Sequence, residues 1–193
     1  MPDRSAVIFD FDGTITKPCL DFDAIRAEIG IAGGPILEAM GAMSAPDRER
    51  AGQILNQHEW EAARTAELQD GAAEVMAACR KRGHPVAILT RNARATLDHV
   101  LQNHGLVVDA IRTRDDGAIK PSPEPVWSIC REVEADPRRS WMVGDHLFDI
   151  RTGRAAGTRT VLLIVEKSLP DYAGEADHVI TGLAQLLPLL ALA

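Results

Sequence analysis

The chain has 193 residues, 46% of them hydrophobic, which is typical of one domain or of one domain with a modest insertion. Its net charge of −7 argues against a general nucleic-acid-binding protein, and no apolar run approaches the roughly 20 residues that cross a bilayer. Three scattered cysteines without a CxxC pair, and an N-terminus without a signal-peptide pattern, predict a soluble cytoplasmic protein with reduced thiols.

Short apolar runs alternate with longer helical patterns, as in α/β proteins built on a parallel sheet. The predicted strands are Ala6–Phe9, Val86–Leu89, Ala110–Thr113, Ser140–Val143 and Thr160–Val165, with a weaker one at His178–Ile180. The helices predicted between and after them are Ala72–Arg82, Ala93–Asn103, Pro123–Glu134, His146–Ala155 and Leu183–Leu190. The alternation predicts an α/β fold with a parallel sheet.

Residues 17–69 break this alternation, because they contain no convincing strand. Three helices are predicted there, at Asp21–Gly30, Pro35–Met43 and Pro46–Leu68. A helical insertion directly after the first strand should form a lid over the strand's carboxyl end, where ligands of open α/β sheets bind. We therefore predict a core of residues 1–16 and 70–193 and a helical cap of residues 17–69.

Charged and polar residues follow the predicted strands at the points where the strands end. They are Asp10 and Asp12 after the first strand, Thr90 after the second, Lys120 past the third, and Asp145 and Asp149 after the fourth. Taken singly, each has a simpler explanation, such as a turn, a solvated lysine or a helix N-cap. Because parallel strands end together, however, their loops should converge and form a charged site.

Phosphoryl transfer is the chemistry that this set of residues suits. Close carboxylates repel one another unless a cation or proton intervenes, and the oxygen ligands of Asp10 and Asp145 suit Mg²⁺. Thr90 can donate a hydrogen bond to a phosphoryl oxygen, and Lys120 can neutralise charge there. One carboxylate can attack phosphorus while the second, two residues away, moves the proton.

Four motifs, in order along the chain, resemble those of the haloacid dehalogenase superfamily of aspartate-nucleophile phosphotransferases. They are DFDGT at Asp10–Thr14, ILT at Ile88–Thr90, KPSPEP beginning at Lys120, and GDHLFD at Gly144–Asp149. The resemblance is closest to phosphatases and mutases of the phosphoglycolate phosphatase and β-phosphoglucomutase type, with a small helical cap. It implies a Rossmann-like, three-layer core, dependence on Mg²⁺ and an aspartyl-phosphate intermediate.

By position, the resemblance implies a role for each residue of these motifs. Asp10 would be the nucleophile, and Asp12 the general acid/base. Thr90 and Lys120 would bind the phosphoryl group. Arg91, which follows Thr90, is a further candidate for the phosphate-binding set, although a solvated loop position explains it as well.

The same resemblance implies the metal ligands. Asp10 and Asp145 would coordinate Mg²⁺ through their carboxylates, and Asp12 through its main-chain carbonyl. Asp149 would be either a further ligand or a residue that orients the ligands.

The family includes several activities, and the residues present here argue against some of them. Dehalogenases lack the second aspartate, which is present here as Asp12, and transport ATPases are membrane proteins. Phosphonatases use a cap lysine, and none lies between Pro18 and Arg80, while Lys17 is badly placed for that role. We therefore predict a phosphatase for small phosphomonoesters similar to phosphoglycolate or sugar phosphates. A sugar phosphomutase and a catalytically silent binding protein of the same fold remain as alternatives.

The expected partner is a small phosphorylated metabolite, without nucleic acid or membrane, and both a monomer and a homodimer remain open. Four arginines of the predicted cap are candidates for contact with a carboxylated substrate: Arg26, Arg48, Arg50 and Arg64. For all four we favour a solvated helix face.

Overall fold

A computed structural model describes residues 4–165 and 168–191. Within these ranges, six strands form one sheet: β1 (Val7–Phe9), β2 (Val86–Leu89), β3 (Ala110–Arg112), β4 (Trp141–Gly144), β5 (Arg159–Leu163) and β6 (His178–Ile180). Their order is β3-β2-β1-β4-β5-β6, and each neighbouring pair is parallel. The predicted parallel α/β sheet, including its weakest strand, is confirmed.

Helices lie between and after these strands. They are α1 (Phe22–Ile29), α2 (Ile36–Gly41), α3 (Ala45–Thr65), α4 (Ala72–Lys81), α5 (Arg94–His104), α6 (Glu124–Glu132), α7 (Leu147–Ala156) and α8 (Leu186–Leu190). No helix of the described ranges is both long and apolar enough to cross a membrane.

The core consists of two apolar layers, one on each face of the sheet. Alternate residues of a strand point to opposite faces, so Val7 and Phe9 pack in the layer that includes residues of α4, α5 and α8. Ile8 packs in the other layer, which includes residues of α6. Helices on both faces of a parallel sheet give the three layers of a Rossmann-like core.

Several predicted boundaries differ from the observed ones by a few residues, and three of them have a clear local reason. β3 ends before Thr113, because the Thr113 hydroxyl caps a short 3₁₀ turn at Arg114–Asp116. α3 ends at Thr65, and Leu68 pairs with Thr16 in an isolated antiparallel bridge. The last predicted helix begins with a 3₁₀ turn at Leu183–Gln185 before α8.

Helices α1, α2 and α3 occupy the insertion and share a small apolar cluster of their own. Its buried members are Ile25, Ile36, Met40, Ala51 and Leu55. The insertion also contacts α5, where the rings of Trp60 and His99 meet edge-on with centroids 5.5 Å apart. The division of the chain into a core and a cap stays a prediction.

Candidate active site

The predicted site residues gather at the carboxyl end of the sheet, where the strand order reverses. β1 is flanked by β2 on one side and by β4 on the other. Asp10 directly follows β1 and its backbone N–H donates to the carbonyl of Val143 at 2.8 Å, while Asp145 directly follows β4. Such a reversal leaves a crevice between the two loops, which is where open α/β sheets bind ligands.

Two glycines allow the loops to approach each other closely. Gly13 has φ +85°, and a Cβ placed on it would lie 2.5 Å from Oδ2 of Asp145. A Cβ on Gly144 would lie 2.2 Å from Cγ of Asp149. Any larger residue at either position would displace an acidic side chain of the site.

Lys120 lies at the centre of the site and is 4% exposed. Its ammonium donates hydrogen bonds to the carboxylates of Asp10 and Asp149, the latter at 2.6 Å. Burial opposes the charge of Lys120, but the two carboxylates outweigh it and raise its pKa. Asp149 also accepts a hydrogen bond from the backbone N–H of His146 at 3.0 Å, which fixes it at the start of α7.

The two carboxylates of the first motif are both shifted towards protonation. Burial raises the pKa of Asp10 to about 6, although the Lys120 ammonium acts in the opposite direction. Burial, with the nearby charges of Asp10 and Glu59, raises the pKa of Asp12 to about 7. The amide nitrogen of Asn92 lies 3.2 Å from a carboxylate oxygen of Asp12. The site therefore holds more negative charge than its environment stabilises.

A divalent cation fits this acidic cluster. Asp10, Asp145 and Asp149 each place a carboxylate oxygen so that all three atoms lie within 4.8 Å of one another. Four carboxylates face one ammonium here, since Asp12 is also part of the site, and a cation would relieve their repulsion. A set of oxygen ligands suits a hard ion such as Mg²⁺.

The loop after β2 contributes a hydroxyl and a guanidinium. Thr90 is 1% exposed, and its hydroxyl accepts a hydrogen bond from the backbone N–H of Asn92 at 3.0 Å. Arg91 donates to both carboxylate oxygens of Glu38 on α2, at 2.9 and 2.5 Å, and to the carbonyl of Lys120 at 2.5 Å. Arg91 thus links the insertion to the loops that follow β2 and β3, and its contact with a phosphate stays a prediction.

A single cavity of about 670 Å³ brings all these residues together. Its lining includes the site residues that the motifs predicted: Asp10, Asp12, Thr90, Arg91, Lys120, Asp145 and Asp149. Residues of helices α1, α2 and α3 also line it. The cavity is large enough for a small organic phosphate.

Two further residues of the cavity wall were not expected to take part. Glu59 on α3 is 3% exposed, and the guanidinium of Arg114 donates to both of its oxygens. The sequence did offer a signal for Glu59: it lies four residues after Leu55, on the stripe of α3 that faces the interior. Arg26 on α1, for which the sequence favoured a solvated helix face, also lines the cavity, and its side chain is 25% exposed.

Comparisons of the sequence identify relatives of this chain. A profile of haloacid dehalogenase-like hydrolases matches residues 21–157. A haloacid dehalogenase-like hydrolase domain-containing protein of Arabidopsis thaliana is 29% identical over 170 residues, or 81% of this chain and 69% of the relative. An N-acetylmuramic acid 6-phosphate phosphatase of Pseudomonas aeruginosa is 31% identical over 183 residues, or 80% of this chain and 79% of the relative.

A comparison of the fold gives a consistent result. The crystal structure of a hydrolase from Pseudomonas syringae superposes with a TM-score of 0.80 and covers 97% of this chain and 98% of its own. The two sequences are 19% identical, so this likeness is evidence of the fold alone.

Proposed function

The chain belongs to the haloacid dehalogenase-like hydrolase family and is a phosphoric monoester hydrolase, and we propose that it hydrolyses small phosphomonoesters with Mg²⁺ through an aspartyl-phosphate formed on Asp10. The observation that carries this proposal is the buried group of Asp10, Lys120 and Asp149 beside Asp12, at the point where the strand order reverses.

In the first half-reaction, a carboxylate oxygen of Asp10 attacks the phosphorus atom of the ester. The bond between phosphorus and the ester oxygen breaks, and Asp12 gives its proton to the departing oxygen. Lys120 stabilises the ionised form of Asp10 before attack, and it neutralises charge that develops on the phosphoryl oxygens. Thr90, which lines the same cavity, donates a hydrogen bond from its hydroxyl to the same group.

In the second half-reaction, water attacks the phosphorus atom of the aspartyl-phosphate. Asp12, now ionised, accepts a proton from that water, and the release of inorganic phosphate restores the carboxylate of Asp10. The raised pKa of Asp12, which follows from its burial, suits a group that must donate and then accept a proton.

Asp10, Asp145 and Asp149 supply carboxylate oxygens that would hold the Mg²⁺, and the main-chain carbonyl of Asp12 is the further ligand that the family resemblance implies. When bound, the ion would neutralise phosphoryl charge and orient the group for in-line attack. Activity should therefore disappear in EDTA and return with added Mg²⁺, whereas Ca²⁺, with its looser coordination, should inhibit. Full activity in EDTA would contradict this assignment.

The proposal is tested by hydrolysis of p-nitrophenyl phosphate and a panel of small sugar and hydroxy-acid phosphates. The protein should release inorganic phosphate, and Asp10→Asn should abolish turnover, because an amide of the same shape is a poor nucleophile. Circular dichroism of Asp10→Asn provides the control for folding. A sugar phosphomutase would instead return an isomerised sugar phosphate with little free phosphate, and a silent binding protein would turn over nothing.

A further inference from the structure

The cavity has an apolar wall as well as the catalytic carboxylates. The side chains that form this apolar wall are Leu20, Phe22, Ile36, Leu37 and Leu55 of the insertion, with Phe148 of α7. Phe22 is 48% exposed, although it is a large aromatic residue at the start of α1. An exposed aromatic ring on a concave wall is typical of a surface that contacts a ligand.

Arg26 interrupts this apolar wall with a positive charge. It lies four residues after Phe22 on α1, so both side chains project from one face of the helix, and both line the cavity. Its guanidinium donates to Asp23 at 2.6 Å and to the carbonyl of Gly34 at 3.4 Å. The Asp23 side chain is 93% exposed, and ion pairs with a solvated partner are weak. Arg26 can therefore exchange this partner for a ligand at little cost.

The other cations that line the cavity, Lys120 and Arg91, have stronger protein partners than Arg26 has. Lys120 is buried between two carboxylates, and Arg91 binds both oxygens of Glu38 together with the carbonyl of Lys120. Among the described residues that line the cavity, Arg26 is thus the cation best able to meet a second anionic group. It reaches the cavity from the insertion, whereas the catalytic carboxylates belong to loops that follow β1 and β4.

We propose that the substrate's leaving group carries a carboxylate that binds Arg26, with a short apolar body packed against Phe22. This inference rests on the proposed phosphatase function and names the class of its substrate: phosphate esters of small hydroxycarboxylic acids. The planar guanidinium matches a carboxylate with two parallel hydrogen bonds. A carboxylate, with one negative charge, suits the site better than a second phosphate, because the Asp23 carboxylate also lines the cavity and repels a doubly charged group more strongly.

The test uses three esters of equal chain length: the phosphate of a three- or four-carbon hydroxycarboxylic acid, the phosphate of its neutral amide, and a bisphosphate. Each is assayed with the unmutated protein, Arg26→Gln, Arg26→Lys and the control Arg48→Gln. Arg48 belongs to the same insertion, is exposed and does not line the cavity. Calorimetric titration of Asp10→Asn with each ester and Mg²⁺ measures binding without turnover.

We expect the unmutated protein to prefer the carboxylate ester in kcat/KM and in affinity. Arg26→Gln should lower kcat/KM for this ester about tenfold or more, the scale of a lost hydrogen bond between charged groups, and leave the amide ester nearly unchanged. Arg26→Lys should recover part of the loss, and Arg48→Gln should cause none.

Equal losses for the acid and amide esters would overturn the inference, as would a preference for the bisphosphate. These outcomes leave the proposed function intact, because turnover would persist. Failure to hydrolyse any ester would instead contradict the proposed function, and the calorimetric preference between acid and amide would still decide the role of Arg26.

Discussion

Asp10 and Asp12 are two residues apart, yet their surroundings differ. Asp10 contacts the ammonium of Lys120 directly, which favours its ionised form. Asp12 instead lies beside the neutral amide of Asn92, and burial raises its pKa to about 7. Two carboxylates in different surroundings can divide the work of nucleophile and acid. The family resemblance gives the role of nucleophile to Asp10, and its direct contact with the Lys120 ammonium supports that proposal.

This division predicts a specific kinetic defect for Asp12→Asn. An activated aryl phosphate needs no proton on its leaving group, so the first step should survive while the second becomes slow. Rapid-quench measurements should show a burst of phenol followed by slow turnover, and an alkyl phosphate should give almost no burst. Equal loss of both steps for both substrates would mean that Asp12 has only a structural role.

Gly13 permits the close contact with Asp145, and its replacement should specifically affect activation by Mg²⁺. Gly13→Ala places a methyl group where the Asp145 carboxylate lies, so we expect weaker activation by Mg²⁺ and a large fall in kcat/KM. Gly30→Ala is the matched control, since Gly30 has a similar φ of +86° and no atom within 4 Å of its Cβ position.

Both substitutions should cost about 1–2 kcal/mol of stability, because alanine is strained at positive φ. Only Gly13→Ala should shift the Mg²⁺ dependence of activity, measured by titration of the metal. The same Mg²⁺ dependence in Gly13→Ala and Gly30→Ala would contradict the placement of Asp145 as a metal ligand.

At the scale of elements, a buried ion pair joins α3 to the loop after β3. Glu59 lies on the stripe of α3 that also buries Ala51, Leu55 and Ala63. Its carboxylate meets Arg114, and the two side chains are 4% and 17% exposed. Burial raises the pKa of Glu59, and Arg114 partly opposes that effect. The pair therefore ties the helical insertion to the sheet at a low-dielectric site.

Loss of one partner of this ion pair should be costly. Arg114→Gln leaves the Glu59 carboxylate buried without its cation, so we expect a loss of roughly 3 kcal/mol in the free energy of unfolding. The control Arg94→Gln removes an exposed pair with Asp98 in α5, whose side chains are 48% and 50% exposed, and should cost less than about 0.5 kcal/mol.

Urea unfolding of the two variants measures this difference. Adding Glu59→Gln to Arg114→Gln should recover part of the stability, because the uncompensated carboxylate is removed. Similar losses for Arg114→Gln and Arg94→Gln would show that the Glu59 pair contributes little to the docking of α3.

The strands were predictable from sequence because each is a short apolar run bounded by polar or glycine residues, as at Val86–Leu89. Helix ends were less predictable, since tertiary contacts decided them: Leu68 pairs with Thr16 and so lies outside α3. The roles of Arg26 and Glu59 depend on how the insertion docks against the core. No local pattern encodes that docking, although a charged residue on an apolar stripe points to it.

At the scale of the whole molecule, the sheet order explains why distant motifs form one site. Loops that follow β1 and β4 meet because these strands are neighbours, although Asp10 and Asp145 are far apart in sequence. The sequence motifs specified this convergence, since parallel strands end on the same edge. The insertion adds Arg26 and most of the apolar wall to the same cavity. In the proposed function, the catalytic groups and most of the leaving-group contacts therefore come from separate parts of the chain.

The central claim is that Asp10 carries the phosphoryl group during turnover. The most direct measurement is mass spectrometry of Asp12→Asn protein that has been mixed with p-nitrophenyl phosphate and Mg²⁺ and then quenched in acid. We predict one phosphoryl group on the peptide that contains Asp10, and none when Asp10→Asn is added. A burst of p-nitrophenol without a phosphorylated peptide, or a phosphoryl group on another residue such as His146, would contradict the account.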